Sequence, residues 1–249
     1  MTRERIKLEN RIIWLDTVAS TNDTAIKMLQ GENVPEGTVI LADFQSAGKG
    51  QKGSLWESEK GKNLTFSIIL FPGMLTAENQ FYISMCISNG LVDFLSEKSI
   101  KGRIKWPNDI YATRGKIGGI LIENTLTGKK IRSSVIGIGL NVNQDVFSKE
   151  IGTATSMRLE TSAEFDRRGT FNDLLGFLSL WINRLYEADF AGIKISYLNK
   201  LLFLNEWRAF SAAAGPFEGR IIDVSDNGEL LVQNRDLELK KYYFKEITF

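Results

Sequence analysis

The chain of 249 residues is 43% apolar, with 31 basic against 30 acidic residues; it has room for one large domain and a small one, and a net charge of +1 gives no overall field toward nucleic acid or membrane. Histidine is absent, which excludes Ser-His-Asp triads, Cys-His dyads, His-ligated zinc and imidazole acid-base chemistry, and leaves proton transfer to lysines and carboxylates. The single cysteine, Cys86, excludes an internal disulfide, and with neither a signal-like N-terminal run nor a stretch of the roughly 18 apolar residues a membrane span needs, the expectation is a soluble, cytoplasmic protein.

Residues 12–15 read as a short strand. Ser20-Thr21-Asn22-Asp23 then supplies oxygen-bearing cap candidates for a helix with Ala25, Ile26, Met28 and Leu29 on its apolar face, ended by Gly31. A buried strand at 38–44 runs into Gln45-Ser46-Ala47-Gly48-Lys49-Gly50-Gln51-Lys52-Gly53. Glycines and lysines in such a loop can fold backbone N–H groups and ammonium charge around an anion, although the same composition also suits a solvated connection. It is no Walker loop, because the spacing and the Ser or Thr after the lysine are missing. Another strand at 63–70 precedes a long helix at 81–95, which takes Cys86 into an apolar pattern.

The richest stretch is Lys105-Trp106-Pro107-Asn108-Asp109-Ile110-Tyr111, followed by Gly115-Lys116-Ile117-Gly118-Gly119. Apolar residues on either side predict two strands, 102–106 and 116–124. Pro107 ends the first, since it has no N–H for a ladder and forces an extended residue before it. Lys105, Asn108, Asp109 and Lys116 therefore gather at one strand end. Held rigidly, such groups suit chemistry on anions; a polar hairpin with a Pro-Asn-Asp turn is the plainer alternative. A strand at 133–143 carries Gly137 and Gly139 on one face, where missing side chains let another backbone or a ligand approach. Phe171, Leu174, Leu175, Leu178, Trp181, Ile182 and Leu185 follow helical spacing over 171–186, and 193–204 predicts a further helix. From about 207 the period changes to short alternating segments at 217–224, 229–233 and 237–244, with a tight turn at Asp226-Asn227-Gly228. This predicts a catalytic domain over 1–206 and a small all-β barrel over 207–249.

Together these motifs resemble those of the biotin protein ligases, in the form without an N-terminal DNA-binding domain. The match runs from Ser20-Thr21-Asn22 through the Gly-Lys loop and Trp56 to the Lys-Trp-Pro-Asn-Asp and Lys-Ile-Gly-Gly segments, and on to Gly137-Ile138-Gly139-Leu140-Asn141-Val142-Asn143. The resemblance implies an α/β (α+β) fold: a mixed-sheet catalytic domain related to class II aminoacyl-tRNA synthetases, plus an SH3-like C-terminal barrel. It also implies that biotin and ATP, with magnesium on the phosphates, give biotinyl-5'-AMP, and that a lysine of the biotin carboxyl carrier protein then takes the biotinyl group. A homodimer is left open.

By the same resemblance, Ser20, Thr21, Asn22 and Gln45 bind the head of biotin, with Gly48, Lys49, Gly50, Gln51, Lys116, Gly119 and Gly139 completing its site. Lys49, Trp56, Lys105, Asn108, Lys116 and Asn141 hold the nucleotide. Helix capping is a second role for Ser20 and Thr21, compatible with the first, and a plain core position competes for Trp56. Lys116 carries the catalytic role of stabilising charge at the carboxylate and α-phosphate. Asp109 is the other catalytic residue; a positive neighbour makes a carboxylate a weak base, so positioning of the incoming amine ranks above proton abstraction. The loop departs from the Gly-Arg-Gly-Arg common in the family. Lys49 cannot form the bidentate fork of arginine and Gln51 is uncharged, so looser retention of the adenylate is expected unless Lys52 compensates. With about 11 residues before the first strand, no helix-turn-helix and no operator binding are expected.

A lipoate or octanoate ligase or transferase is the nearest alternative, and the polar trio Ser20, Thr21 and Gln45 favours biotin over an apolar tunnel. From another class, a non-catalytic SH3-like module holding a partner or nucleic acid would need a basic aromatic barrel surface. Lys240, Lys241, Tyr242, Tyr243 and Lys245 offer one, but Asp236, Glu238 and Glu246 dilute it.

Overall fold

The computed structural model describes residues 5–31, 33–148 and 152–249, with the side chain of Lys52 outside that description. Seven strands form the larger sheet: β1 (Ile12–Val18), β2 (Val39–Gln45), β3 (Leu64–Leu70), β4 (Arg103–Lys105), β5 (Asp109–Tyr111), β6 (Lys116–Thr127) and β7 (Lys130–Leu140), in the spatial order β1-β2-β3-β7-β6-β5-β4. Only β1 and β2 pair in parallel, as expected where helix α1 (Thr21–Gly31) makes the crossover between them. The other neighbours are antiparallel.

Side-chain alternation divides this sheet into two unlike faces. Val39, Leu41, Phe66, Ile68, Ile136 and Ile138 enter the main core with helices α2 (Phe81–Glu97), α4 (Arg167–Tyr186) and α5 (Phe190–Lys200). Each such buried side chain contributes about 1.5–3 kcal/mol relative to exposure. On the opposite face Ile40, Ile69 and Val135 pack with Ala25 of α1. Their neighbours on that face are small or polar: Thr65, Ser67, Gly137 and Gly139, where Thr65 pairs with Gly139 and Ser67 with Gly137. A shallow floor therefore opens beside the N-terminus of α1.

A five-stranded antiparallel sheet follows, ordered β11-β10-β9-β8-β12 and built from β8 (Trp207–Ala212), β9 (Gly215–Val224), β10 (Leu230–Asn234), β11 (Leu239–Tyr242) and β12 (Ile247–Thr248). Its interior residues Phe210, Ile221, Val232 and Ile247 are continuous with the main core. The Asp226-Asn227-Gly228 turn grips the larger unit: Gly228 O accepts from Trp106 Nε1 at 2.9 Å, and Tyr82 donates from its hydroxyl to Asp226 at 3.0 Å.

Several expectations need correction. The segment read as two strands and a turn holds a third, β5, so Asp109 sits on a strand paired with Lys105 on one side and Gly119 on the other, with a register shift against β6 between Ile110 and Tyr111; the Trp106–Pro107 peptide before it is cis. Helix α4 begins earlier than 171, because Asp166 caps it by accepting from Arg168 N and Gly169 N. Helix α5 covers Phe190–Lys200 rather than 193–204. Asp189 caps its start, and Leu201 turns extended to bridge Ile104. Strands β8 and β12, and the short helix α3 (Met157–Thr161), were not anticipated.

Candidate active site

One row of directly paired residues crosses the sheet at the floor: Lys105 opposite Asp109, Asp109 opposite Gly119, Gly119 opposite Gly139, and Gly139 opposite Thr65. The loop after β2 folds back over this row, with Trp56 N donating to Gly48 O at 3.0 Å. Between floor and loop lies a cavity of about 300 Å³, at the small end of the range for ligand sites.

At one end the cavity is neutral and polar. Ser20 starts helix α1, its Oγ accepting from Asp23 N at 3.4 Å. Gln45 Oε1 accepts from Thr21 N at 2.7 Å and lies 3.1 Å from Thr21 Oγ1, so the Gln45 amide presents its N–H side elsewhere. Asn22 is buried and sits over Gly137, where a Cβ would come within 2.5 Å of Asn22 Oδ1.

The other end is cationic. Lys116 Nζ lies 2.6 Å from Asp109 Oδ1 and 5.7 Å from the centre of the Trp56 ring. Lys105 Nζ is held between rings, 5.1 Å from Tyr111 and 5.6 Å from Phe249. Lys49 stands instead at the polar end, paired with Asp23 in the first turn of helix α1 at 2.5 Å, a hydrogen bond that raises the pKa of its ammonium. Lys245 joins these three lysines in lining the cavity, and Asp109 supplies the one side-chain carboxylate among the lining residues. A chain with a net charge of only +1 thus concentrates positive charge here, in a partly desolvated site where it acts strongly on an anion.

Trp56 caps the floor. Its ring occupies the space above Gly139, where a Cβ would meet it at 2.2 Å, and above Gly119, at 3.1 Å. At the two glycines expected to admit a backbone or a ligand, a side chain is what approaches: Asn22 at Gly137 and Trp56 at Gly139. Trp56 Nε1 and Gln51 Oε1 are both buried with no hydrogen-bond partner among the described residues, a donor and an acceptor that a ligand in the cavity can satisfy.

Of the residues singled out from the sequence, Ser20, Thr21, Asn22, Gln45, Lys49, Gly50, Gln51, Trp56, Lys105, Asn108, Asp109, Lys116, Gly119 and Gly139 all line this cavity. Asn108 lines it with its amide engaged, Nδ2 donating to Ile120 O at 2.7 Å. Gly48 and Asn141 do not line it. Gly48 packs on the Trp56 carbonyl, 2.4 Å from where a Cβ would stand, and Asn141 Nδ2 donates to Thr155 O at 3.0 Å. Phe244, Lys245, Ile247, Thr248 and Phe249 were not anticipated as lining residues. No motif marks them; they reach the cavity because the barrel docks on Trp106.

Comparison with known proteins places these features in a lineage. The model of the Biotin/lipoate A/B protein ligase family matches residues 14–141. The chain is 31% identical over 95% of its length to the bifunctional ligase/repressor BirA of Bacillus spizizenii, covering 73% of that protein. It is 26% identical to the biotin–[acetyl-CoA-carboxylase] ligase of Paracoccus denitrificans over 86% of this chain and 90% of that one. A solved structure titled biotin protein ligase from Aquifex aeolicus in complex with biotin and ATP is 29% identical, with a TM-score of 0.79 over 96% of this chain and 97% of the other. Fold, matched segment and relatives agree, and the chain belongs to the Biotin/lipoate A/B protein ligase family.

Proposed function

We propose that the protein is an ATP-dependent biotin protein ligase. A biotin carboxylate oxygen attacks the α-phosphorus of ATP, displacing pyrophosphate and leaving biotinyl-5'-AMP; the amine of a lysine on the biotin carboxyl carrier protein of a biotin-dependent carboxylase then attacks the acyl carbon, and AMP leaves. The observation that carries this reading is the polarity of the cavity: a neutral hydrogen-bonding end at Ser20, Thr21 and Gln45 continues into a cationic end at Lys105 and Lys116. Such an arrangement suits a ligand with an uncharged polar head and a carboxylate tail that must meet a phosphate.

Within it, Lys116 stabilises the charge that grows on carboxylate and phosphate oxygens, which is where a preorganised cation is worth most. Asp109, held at 2.6 Å by that ammonium, positions the incoming amine. Lys49 leaves Asp23 for the ligand, and Lys105, Asn108 and Trp56 set the nucleotide, with Lys245 facing its phosphates. Among the described residues no group of three His, Cys, Asp or Glu side chains could hold a metal ion; magnesium comes with the phosphates of the nucleotide. No described helix is long and apolar enough to cross a membrane; the carrier reaction belongs in the cytoplasm.

Purified protein given biotin and ATP should release pyrophosphate and label a biotin carboxyl carrier domain, and lipoate in place of biotin should fail. Turnover of lipoate with no turnover of biotin would move the assignment to the other branch of the family.

A further inference from the structure

Behind the polar end of the cavity runs a chain of hydrogen bonds that reaches a carboxylate. Asn22 Nδ2 donates to Glu123 Oε2 at 2.7 Å, and Asn22 Oδ1 lies 2.6 Å from Ser67 Oγ. Ser67 Oγ is also 2.7 Å from Thr21 Oγ1, which in turn reaches Gln45 Oε1 at 3.1 Å. Neither Glu123 nor Ser67 lines the cavity, and Ser67 is fully buried.

The direction of every proton in this chain follows from its ends. A carboxylate only accepts, so Glu123 turns the amide of Asn22 until its N–H side faces the carboxylate and its oxygen faces Ser67. That oxygen needs a donor, and the single proton of Ser67 supplies it. Ser67 is then an acceptor toward Thr21, so the single Thr21 proton goes to Ser67 and the longer 3.1 Å approach of Thr21 Oγ1 to Gln45 Oε1 carries no proton. Toward the cavity Thr21 is left with a lone pair. The carbonyl of Gln45 is already taken by Thr21 N at 2.7 Å, which leaves the Gln45 N–H group and the Ser20 hydroxyl proton as donors.

We propose that Glu123 and Ser67 are positioning residues that set the hydrogen-bond polarity of the head-group site through Asn22, making Thr21 an acceptor that requires an N–H on the ligand. The inference rests on the biotin ligase reading, whose ureido ring offers a carbonyl flanked by two N–H groups. A site that matches donors and acceptors around a buried head rejects an analogue with one of them reversed far more strongly than one differing in bulk.

The test compares kcat/KM for biotin with that for the two cyclic carbamates in which one or other ring N–H is replaced by oxygen, in pyrophosphate release by the wild type and the isosteric Glu123→Gln variant. One of the two carbamates should be rejected by the wild type about a hundredfold or more. In Glu123→Gln the carboxylate no longer fixes the Asn22 amide, which keeps only the long 3.5 Å bond from Nδ2 to Leu121 O; as the amide turns over, Ser67 can donate to Thr21 and Thr21 to the ligand, so discrimination against that carbamate should fall about tenfold, while the ratio for the other stays put. Ser67→Ala breaks the chain in the middle, so adding Glu123→Gln in that background should change the ratio no further. An unchanged ratio in Glu123→Gln, or an equal loss for all three substrates, overturns the proposal. Absence of any wild-type turnover of biotin would instead refute the ligase reading itself.

Discussion

Lys116 and its partner show how much one side chain is asked to do. The ammonium is tied to Asp109, lies near the Trp56 ring and stands at the edge of a glycine floor, so it is aimed before any ligand arrives. Lys116→Ala should lower pyrophosphate release about a hundred- to a thousandfold, the range found when a preorganised charge-stabilising donor is removed, while thermal unfolding stays close to that of the wild type because the side chain is partly exposed. Rates within a few fold of wild type would remove it from the chemistry. Gln51 makes the opposite case. Its Oε1 is buried without a partner among the described residues, and an arginine there would add a forked cation at the cavity. Gln51→Arg should slow dissociation of biotinyl-AMP at least severalfold; an off-rate equal to wild type would show that the residue does not touch the adenylate. Both positions are legible in the sequence, because Lys-Ile-Gly-Gly and Gly-Lys-Gly-Gln are local patterns. Ser67 and Glu123 are not, since nothing marks a serine in an apolar strand or a glutamate in a long one until pairing sets Ser67 against Gly137 and Gly137 against Leu121, two residues from Glu123.

Strands and their glycines explain why those side chains converge. In β7 the even positions Ile136, Ile138 and Leu140 fill the core, while the odd positions Gly137 and Gly139 yield their space to Asn22 and Trp56. The period of two is legible in the amino-acid order alone, and so is the shared face of the two glycines. What fills the space is not, because that depends on helix α1 and on the loop carrying Trp56, both far earlier in the chain, folding back across the sheet. Gly139→Ala tests the fit. A methyl group would stand 2.2 Å from the Trp56 ring, so the ring and its loop must move, at a cost of about 1–3 kcal/mol typical of overpacking. The expected result is a lower urea midpoint, a changed tryptophan emission and adenylation reduced by at least tenfold. Gly31→Ala, with nothing near the added methyl, serves as the control. If both variants behave alike, the Trp56 cap is not seated on the floor.

The barrel completes the cavity by docking, and one phenol at the seam makes that docking measurable. Tyr82, on α2, is 6% exposed and donates to Asp226 in the turn that also receives the Trp106 indole N–H. The same docking brings Phe249 against Lys105, which is how residues from the 244–249 segment come to wall a site whose motifs lie between Ser20 and Asn143. Burial, reinforced by the hydrogen bond to Asp226 and its charge, pushes the Tyr82 pKa from 10.0 up to about 12. The sign of the consequence follows directly. Above pH 10 the phenol of the unfolded chain loses its proton while the folded one keeps it, so the unfolded state binds fewer protons and stability falls as pH rises toward about 12. Below pH 10 this contribution is fully present. Tyr82→Phe removes the hydroxyl, and near neutrality it should cost about 0.5–1.5 kcal/mol, the net worth of a hydrogen bond, read as a lower urea midpoint. Its stability curve should then be flatter than the wild type's between pH 10 and about 12, so that the gap between the two proteins closes within that window and then reverses. A gap that stays constant with pH would mean that Tyr82 is neither buried nor bonded at the seam, leaving the Trp106 bond to Gly228 and the Lys194 pairs with Asp223 and Asp226 as its polar ties.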